Sequence, residues 1–486
     1  MNNRSFLQDI ARQAMIENGL LPDFSPEVLK ELNNIDGSLG IIDKPERDLR
    51  PLLWCSIDND DSLDLDQLTV AERTSDGTIK IYVAVADVES LVKKGDAIDD
   101  HARQNTTSIY TDGETFPMLP EKLSHDLTSL NYEKDRSAVV VEMVLDADGR
   151  VKSSDIYTAL VRNHAKLAYN SVAAWLEGKG PMPDAVTKVS SLDANIRLQD
   201  QVAQVLRKHR YEVGALDLET IQARSIFVGD MIKDLEADRK NRAQQLIEDL
   251  MIAANGSVVQ YLKTKGLLSF RRVVRSPKRW EKIVEMVSSQ YNQKLPSEPD
   301  AKALSIFLYE QKKKDPIGFP DLSLTIIKLI GKGEYVVESP GEKEIGHFGL
   351  AVRDYTHSTA PNRRYPDLIT QRILKAALKG TGSPYSAEEL TALAQLCTEK
   401  EDDATKVERR VAKSAAALLL SSKLGQTFDA ICTGAADKGT WVRIFNPPAE
   451  GKLIRGVKGI DVGSRLRVKL IHTDVKQGYI DFEQAN

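Results

Sequence analysis

Alternation of apolar and polar positions divides the chain of 486 residues into three parts. Between 46 and about 170, short strand-like runs such as "IKIYVAVADV" alternate with loops, whereas helical spacing of apolar residues dominates from about 190 to 425. The last 60 residues return to short strand-like runs. The pattern therefore predicts a large mixed α/β region followed by a small β domain, without internal repeats.

The first 45 residues predict a small module of short helices. Ser5 is a candidate N-cap of the first helix, and Ser25-Pro26 has the N-cap and N1-proline pattern of a second. Such a module is either a nucleic-acid-binding helix-turn-helix or an appendage that packs on the main body. We favour packing, because no base-reading residues can be picked out.

Five short strand-like runs over 426–486 suit a small five-stranded barrel such as an OB-fold. Within "GTWVRIF" and "SRLRVKLIH", apolar residues alternate with aromatic or basic ones. The positions expected to face inward are Val442, Ile444, Leu466, Val468 and Leu470. The positions expected on the other faces, as RNA-binding candidates, are Trp441, Arg443, Phe445, Arg465, Arg467 and Lys469.

Rings that stack on bases and cations that bind phosphates are what single-stranded nucleic acid requires. The alternative is that cations on edge strands only keep the sheet soluble and correctly paired. Because the aromatic and basic faces occur together, we favour binding.

Composition places the chain among ordinary soluble proteins, with 41% hydrophobic and 28% charged residues. Three scattered cysteines without a CxxC pair, and a polar N-terminus without a signal-peptide core, predict a reducing, cytoplasmic location. The run "AAALLL" is too short to span a bilayer, so no membrane association is expected. The net charge of −5 argues against a uniform basic coat but allows a local basic groove.

The stretch "SIDNDDSLDLDQLT" (56–69) concentrates negative charge between two apolar runs. Its aspartates are Asp58, Asp60, Asp61, Asp64 and Asp66. Their mutual repulsion requires a partner, and ligands that are all oxygen suit magnesium or manganese. Magnesium held by aspartates most often serves phosphate chemistry.

Two alternatives to a magnesium site in this acidic stretch are weaker. A calcium EF-hand that starts at Asp58 needs glycine and glutamate where the chain has Leu63 and Thr69. A run of charged residues usually forms a solvated, exposed loop. However, this one is flanked closely by apolar strands and contains no lysine or arginine to offset its charge.

The acidic stretch resembles the metal-binding signature of the RNB family, the ribonuclease II-like exoribonucleases. Asp58, Asp64 and Asp66 match the first three carboxylates of that signature, whereas Gln67 takes the place of the fourth. An amide offers an oxygen but no charge. The departure bears on the number of metals and on the rate, and Asp60 or Asp61 is a candidate substitute.

Further motifs follow in the order of the same family and together cover about residues 50 to 425. They are "TSIYTDGETFPMLPEKLSHDLTSL" (107–130), "AKLAY" (165–169), "IEDLMIAAN" (247–255), "HFGLAVRDYTHSTAPNRRYPDLITQRILKA" (347–376) and "VERRVA" (407–412). Several long motifs in one order are far more specific than one short pattern. The resemblance implies a multidomain α+β protein with a small helical module (1–45), an RNB catalytic domain (46–425) and a C-terminal OB-fold (426–486).

The resemblance also implies roles for individual residues. Asp58, Asp64 and Asp66 would hold the metal, with Asp66 at the position on which the family depends most for catalysis. Arg363 would contact the scissile phosphate, and Arg364 would be a phosphate or structural contact. The family's usual serine-proline-isoleucine before these arginines is Ala360-Pro361-Asn362 here, which is expected to shift the loop.

Four more residues match family positions around the RNA 3′-end. Tyr110 matches an aromatic that stacks on the terminal base, Tyr169 and Glu248 a pair that recognises the ribose, and Glu408 a glutamate near the 3′-end. Each also has a structural alternative: buried tyrosine caps, a helix-boundary glutamate and a surface ion pair of Glu408 with the neighbouring arginines.

The resemblance thus implies a magnesium-dependent hydrolytic exoribonuclease that degrades single-stranded RNA from a free 3′-end and releases nucleoside 5′-monophosphates. It is expected to be monomeric, without an obligate protein partner. One rival is an RNA-binding protein whose catalysis is weakened or lost, because of Gln67. The other is a nuclease that acts on DNA or small phosphodiesters.

Overall fold

The computed structural model of the chain describes residues 3–35, 46–146, 148–342, 344–436 and 439–485. The last ten positions of the predicted N-terminal module, 36–45, lie outside the described residues. The helices are α1 (Asn3–Glu17), α2 (Pro26–Asn34), α3 (Ala97–Asn105), α4 (Tyr169–Leu176), α5 (Asp184–Thr187), α6 (Leu192–Val213), α7 (Arg242–Thr264), α8 (Trp280–Tyr291), α9 (Ala301–Lys314), α10 (Phe319–Ile330), α11 (Tyr365–Leu378) and α12 (Ala387–Leu420). Within the described ranges, no helix has the length and apolar character needed to cross a bilayer.

The strands of the main body come first in the chain, and those of the barrel last. They are β1 (Arg47–Asp48), β2 (Cys55–Asp58), β3 (Gln67–Arg73), β4 (Ile79–Ala86), β5 (Ile109–Tyr110), β6 (Thr115–Phe116), β7 (Asp135–Leu145), β8 (Val151–Arg162), β9 (Ala165–Ala168), β10 (Gln222–Val228), β11 (Met231–Asp238), β12 (Ser269–Val273), β13 (Glu334–Glu338), β14 (Thr427–Ala436), β15 (Gly439–Ile444), β16 (Ala449–Arg455), β17 (Arg465–Asp474) and β18 (Tyr479–Gln484).

The main sheet has seven strands in the order β1-β8-β7-β4-β3-β2-β9. The outer pairs β1–β8 and β2–β9 are parallel, and the inner pairs are antiparallel. Central β4 is buried along most of its length, as its nearly continuous apolar sequence requires. Helix α7 packs on this sheet, and an Asn241–Gln244 capping box fixes where the helix starts.

Helix α12, 34 residues long, joins the N-terminal helices to the C-terminal barrel. Leu7, Ile10 and Met15 of α1 are buried in one cluster with Val407 and Val411 of α12. This contact agrees with the packing interpretation of the module. Ser25 caps α2 as predicted, whereas α1 already includes Ser5, so the prediction that Ser5 caps this helix is wrong.

The C-terminal strands form a closed barrel in the order β14-β15-β16-β18-β17, as the five runs predict. Val442, Ile444, Val468 and Leu470 are buried in its core, and Leu466 is half-buried. The alternation in "GTWVRIF" and "SRLRVKLIH" therefore gives the correct inward faces. The fold class, a mixed α/β body with an OB-like barrel and N-terminal helices, is confirmed.

Two small antiparallel sheets interrupt the region predicted to be mainly helical: the hairpin β10–β11, and the pair β12–β13, whose strands are separated in the chain by α8, α9 and α10. In the first, Val228 pairs with Met231, which leaves a two-residue turn of Gly229 and Asp230. Gly229 has a φ of +59°, and such turns favour glycine at positive φ. The turn signal in "FVGDMI" is thus present in the sequence but is obscured by the helical patterns on either side.

A buried histidine links the N-terminal module to the main body. His101 of α3 is 5% exposed, and its ring lies 4.4 Å from that of Phe24. Next to it, the side chain of Asn105 makes two hydrogen bonds with the main chain of Leu21. Burial lowers the pKa of His101 to about 4, because the charged ring loses its hydration.

This shift predicts acid sensitivity. A depressed folded-state pKa contributes stability above the unfolded value of about 6.5, and that stability is lost as the pH falls through about 4. We expect the free energy of unfolding to fall by about 3 kcal/mol over this window because of His101. Denaturant titrations of wild type and His101→Gln between pH 7 and 4 measure this contribution of His101 to the free energy of unfolding. Equal pH slopes in the two proteins would rule out this source.

Candidate active site

The acidic turn connects β2 and β3, which are neighbours in the main sheet. Asp66 is 2% exposed, and Asp58 and Asp64 are half-buried. Asp60 and Asp61 are exposed, and Asp61 lies 4.0 Å from Arg224 of β10. The solvated-loop interpretation therefore fits these last two only.

The segment 128–130 holds the turn in place. The hydroxyl of Ser129 accepts a hydrogen bond from Leu65 N at 3.0 Å and donates one to Leu63 O at 2.8 Å. Leu130 N donates to Leu65 O at 2.9 Å. The segment comes from the motif at 107–130, in which the sequence indicates a role only for Tyr110.

The loop before α11 contacts the deepest carboxylate. Asn362 N donates to Asp66 Oδ1 at 2.8 Å, and Arg363 Nε lies 3.3 Å from Asp66 Oδ2. Arg364 is ion-paired with the buried Asp367 at 2.7 Å, which favours the structural alternative for Arg364. The two adjacent arginines thus have different partners, and the Arg363 side chain is 42% exposed while paired to the buried Asp66.

Electrostatic strain is concentrated on the carboxylates of the turn. Burial raises the pKa of Asp66 to about 8; Arg363 opposes this increase and Asp64 adds to it. Burial also raises the pKa of Asp58. A positive charge placed among these groups would stabilise their ionised forms.

The β5–β6 hairpin brings an aromatic ring to the same group. The hydroxyl of Tyr110 donates to Asp64 Oδ2 at 2.8 Å, and Tyr110 N donates to Glu408 Oε1 at 3.2 Å. Arg409 and Arg410 are instead nearest to Glu450 and Glu17. Among the described residues, Glu408 therefore does not form the surface ion pair considered as its alternative, and it supports Tyr110 from α12.

The remaining two predicted residues lie on α4 and α7. Tyr169 follows β9, in which Ala168 pairs with Asp58 across the parallel strands, so Tyr169 is next to the acidic turn. Burial, followed by the charge of Asp58, raises the pKa of Tyr169. Glu248 is ion-paired with Lys240 at 2.7 Å, and in the described part of the chain no hydrogen bond joins it to Tyr169.

The donor set fits a hard divalent cation in chemical type. Asp58, Asp64 and Asp66 offer oxygen ligands from one turn, which suits magnesium or manganese. Over the described ranges, however, no three His, Cys, Asp or Glu side chains already stand in a metal-ligating arrangement. In this structure, the carboxylates of Asp66 and Asp64 accept hydrogen bonds from Arg363 and Tyr110, respectively.

The predicted RNA-binding residues of the barrel fall into two groups. Arg465, Arg467 and Lys469 are exposed on β17, and Trp441 and Phe445 are half-buried. The expectation that Arg443 lies exposed beside the two rings is wrong. Arg443 is 9% exposed and pairs with Asp321 of α10 at 2.8 Å, because this face of β15 packs against the main body.

A basic groove of about 500 Å³ lies between the barrel, α10 and α12, and the sequence patterns above do not predict it. It is lined by Lys328, Lys406, Arg409, Arg410, Lys413, Gly434, Trp441 and Glu450. Burial and the neighbouring Arg409 lower the pKa of Lys413, as expected where cations outnumber acids. A count of basic residues at helical spacing along 406–413 could have found the α12 part.

Comparison with known proteins places this chain in a family. Residues 46–380 match the RNB domain, and residues 426–485 match the RNase II-type exonuclease C-terminal S1 domain. The chain therefore belongs to the RNB family. Ribonuclease R of Aquifex aeolicus (strain VF5) is 30% identical over an alignment 507 residues long, which spans 98% of this chain and 70% of that protein.

Two solved structures share the fold. Mycoplasma genitalium RNase R in complex with ribose methylated single-stranded RNA has a TM-score of 0.85 at 24% identity, covering 98% of this chain and 77% of that one. Yeast Ssd1, a pseudonuclease, has a TM-score of 0.68 at 17% identity, covering 95% and 56%. The family, the fold and the enzyme class predicted from the motifs, a 3′–5′ exoribonuclease, are thus confirmed.

Proposed function

We propose that this chain degrades single-stranded RNA from a free 3′-end by magnesium-dependent hydrolysis and releases nucleoside 5′-monophosphates. The observation that carries the proposal is the pairing of buried Asp66 with partly exposed Arg363 inside the acidic turn. A buried carboxylate next to an accessible guanidinium suits phosphate chemistry, because the guanidinium can transfer its hydrogen bonds to phosphate oxygens.

Each residue of the site then has a role toward the RNA. Asp58, Asp64 and Asp66 would hold magnesium, which supplies a bound water of lowered pKa when present. Arg363 binds the scissile phosphate and offsets its growing negative charge. Tyr110 stacks on the terminal base, and Glu408 holds the Tyr110 main chain by the contact already present in this structure.

Discrimination of RNA from DNA falls to Tyr169 and Glu248. A 2′-hydroxyl donates and accepts hydrogen bonds, so a phenol together with a carboxylate can recognise it. Glu248 is held by Lys240 on the exposed side of α7. For RNA to engage both groups, this ion pair must loosen or share its carboxylate.

The experiment follows the products. Single-stranded RNA is incubated with the protein in phosphate-free buffer with magnesium, manganese or EDTA, and nucleotides are separated by chromatography. We expect nucleoside 5′-monophosphates with either metal and none in EDTA. Products other than 5′-monophosphates, or release in EDTA, would contradict the proposal.

The alternative is an RNA-binding protein with weakened or lost catalysis. It is favoured by Gln67 in place of the family's fourth aspartate. Because a pseudonuclease shares this fold, the fold alone does not decide whether the chain catalyses RNA cleavage. Tight RNA binding without nucleotide release would support it. Gln67→Asp tests whether the missing carboxylate limits the rate.

The basic groove extends the proposed RNA path. Most of its cations, Lys406, Arg409, Arg410 and Lys413, lie on α12 within about two turns of Glu408, Lys328 lies on α10, and Trp441 provides a stacking surface. Neutralising three of them, as Lys406→Gln/Arg409→Gln/Lys413→Gln, should lower the salt slope of single-stranded RNA binding by about 2.

The matched control removes the same charge from three exposed lysines elsewhere, Lys152, Lys179 and Lys188. Affinity is measured by fluorescence anisotropy at several salt concentrations with Asp66→Asn as the common background. If both triple variants give the same slope, the groove is not part of the RNA path.

Cytoplasmic location and a monomeric state are also proposed. All three cysteines are free and buried, which suits a reducing compartment. Gel filtration with light scattering tests the oligomeric state.

A further inference from the structure

Asn362 makes two contacts of different kinds while fully buried. Its main-chain N–H donates to Asp66 Oδ1 at 2.8 Å. Its side-chain amide lies 2.5 Å from Thr128 Oγ1, which is also buried. One residue therefore holds the Asp66 carboxylate and reaches, by its side chain, the segment that holds the acidic turn.

These contacts close a ring. Thr128 is adjacent to Ser129, whose hydroxyl accepts from Leu65 N at 3.0 Å, and Leu65 is adjacent to Asp66. Starting from Asp66, the path runs through Asn362, Thr128, Ser129 and Leu65 back to Asp66. The Asp66 carboxylate, through Asn362, and the main chain of the neighbouring Leu65 are thus both tied to the segment 128–130.

The Thr128 hydroxyl has a single proton and two neighbours. Its oxygen lies 2.8 Å from Leu123 O as well as 2.5 Å from the Asn362 amide. As the amide is placed, the hydroxyl donates to Asn362 Oδ1 at a distance typical of a short O–H···O bond, with Leu123 O as its alternative acceptor; with the amide turned over, Asn362 would donate to the hydroxyl and the hydroxyl to Leu123 O. The Asn362–Thr128 link exists in either orientation of the amide.

The buried Asn362 amide also has an energetic cost. The other polar atom of the amide, Nδ2 as placed, is buried without a hydrogen-bond partner in the described part of the chain. A buried unpaired polar atom destabilises a fold, and an apolar side chain of the same shape would not. Asn362 is therefore poorly explained by stability, and its position beside Asp66 suggests a gain in function instead.

We propose that Asn362 and Thr128 form a pair of positioning residues that fixes the orientation of the Asp66 carboxylate for the reaction. The inference rests on the proposed function. Reactive groups need placement within about 0.5 Å, and an error of about 1 Å costs roughly a hundredfold in rate.

The test uses isosteric changes in a double-mutant cycle: Asn362→Leu, Thr128→Val and both together, with Thr128→Ser to retain the hydroxyl. We expect kcat to fall roughly ten- to a hundredfold in each apolar variant with KM unchanged. The double variant should be about as slow as the slower single one, and Thr128→Ser should recover most of kcat.

Thermal unfolding separates positioning from plain structural support. Thr128→Val should lower the midpoint, whereas the double variant should return to or above wild type, because both polar partners are then gone. Activity that recovers with the midpoint in the double variant, or losses in kcat that simply add, would overturn the proposal. A wild-type protein that binds RNA without shortening it would instead remove the proposed function on which this role depends.

Discussion

Asp66→Asn should abolish RNA shortening, with a loss in kcat of roughly a thousandfold or more, while RNA binding persists. The carboxylate is buried and receives hydrogen bonds from Asn362 and Arg363, so its position is fixed and its charge is what the change removes. Rates on labelled RNA and affinities from anisotropy measure the two effects separately.

Stability provides an internal check on this variant. The folded-state pKa of Asp66, about 8, lies above the unfolded value of about 3.9. Without metal, the wild type is therefore expected to lose stability as the pH rises from about 4 to about 8, because the unfolded chain ionises this carboxyl freely whereas burial opposes its ionisation in the folded state. Asp66→Asn should lack that loss and be at least as stable as wild type at pH 9 in EDTA.

Asp61→Asn is the matched control, because Asp61 belongs to the same turn but is exposed. It should retain near wild-type activity. Similar losses in the two variants would show that the net charge of the turn matters, and not the particular position of Asp66.

The second large effect separates the adjacent arginines. Arg363→Gln should lower kcat roughly a hundred- to a thousandfold, because a donor that stabilises developing charge is lost. Its free energy of unfolding should change less than that of Arg364→Gln, because burial raises the pKa of Asp66 to about 8 and this carboxyl can take up a proton when its cation is lost.

Arg364→Gln should do the opposite. It leaves Asp367, which is fully buried and also accepts a hydrogen bond from Ala360 N, without its cation. We expect destabilisation of about 3 kcal/mol with a smaller effect on kcat in the folded fraction. Denaturant titrations measure the stability of both variants, and rates at saturating RNA measure kcat. If both variants lose activity in proportion to stability, Arg363 has no special role toward phosphate.

Local patterns in the sequence predict the elements that depend on neighbouring residues. The inward positions Val442 and Ile444 follow from alternation within one strand, and the Ser25 cap from two adjacent residues. The acidic turn is also visible, because its charge and its apolar flanks lie within a few positions of one another. The Gly229–Asp230 turn shows that even local signals fail where a longer pattern dominates.

Contacts between distant segments cannot be predicted in this way. Asp66 and Asn362 are 296 positions apart, and Tyr110 and Glu408 are 298 apart. No periodicity within one element shows which segments meet. For this reason Arg443, whose strand is predicted correctly, is expected in solvent although it pairs with a residue 122 positions away.

Removal of one nucleotide at a time from the 3′-end of RNA is the reaction that the site is proposed to perform. The most direct measurement follows 5′-labelled single-stranded RNA and DNA of the same sequence, each with magnesium and with EDTA. We expect a ladder of progressively shorter RNA in magnesium alone and intact DNA throughout. Intact RNA in magnesium, or equal shortening of the DNA, would show that the proposed reaction is wrong.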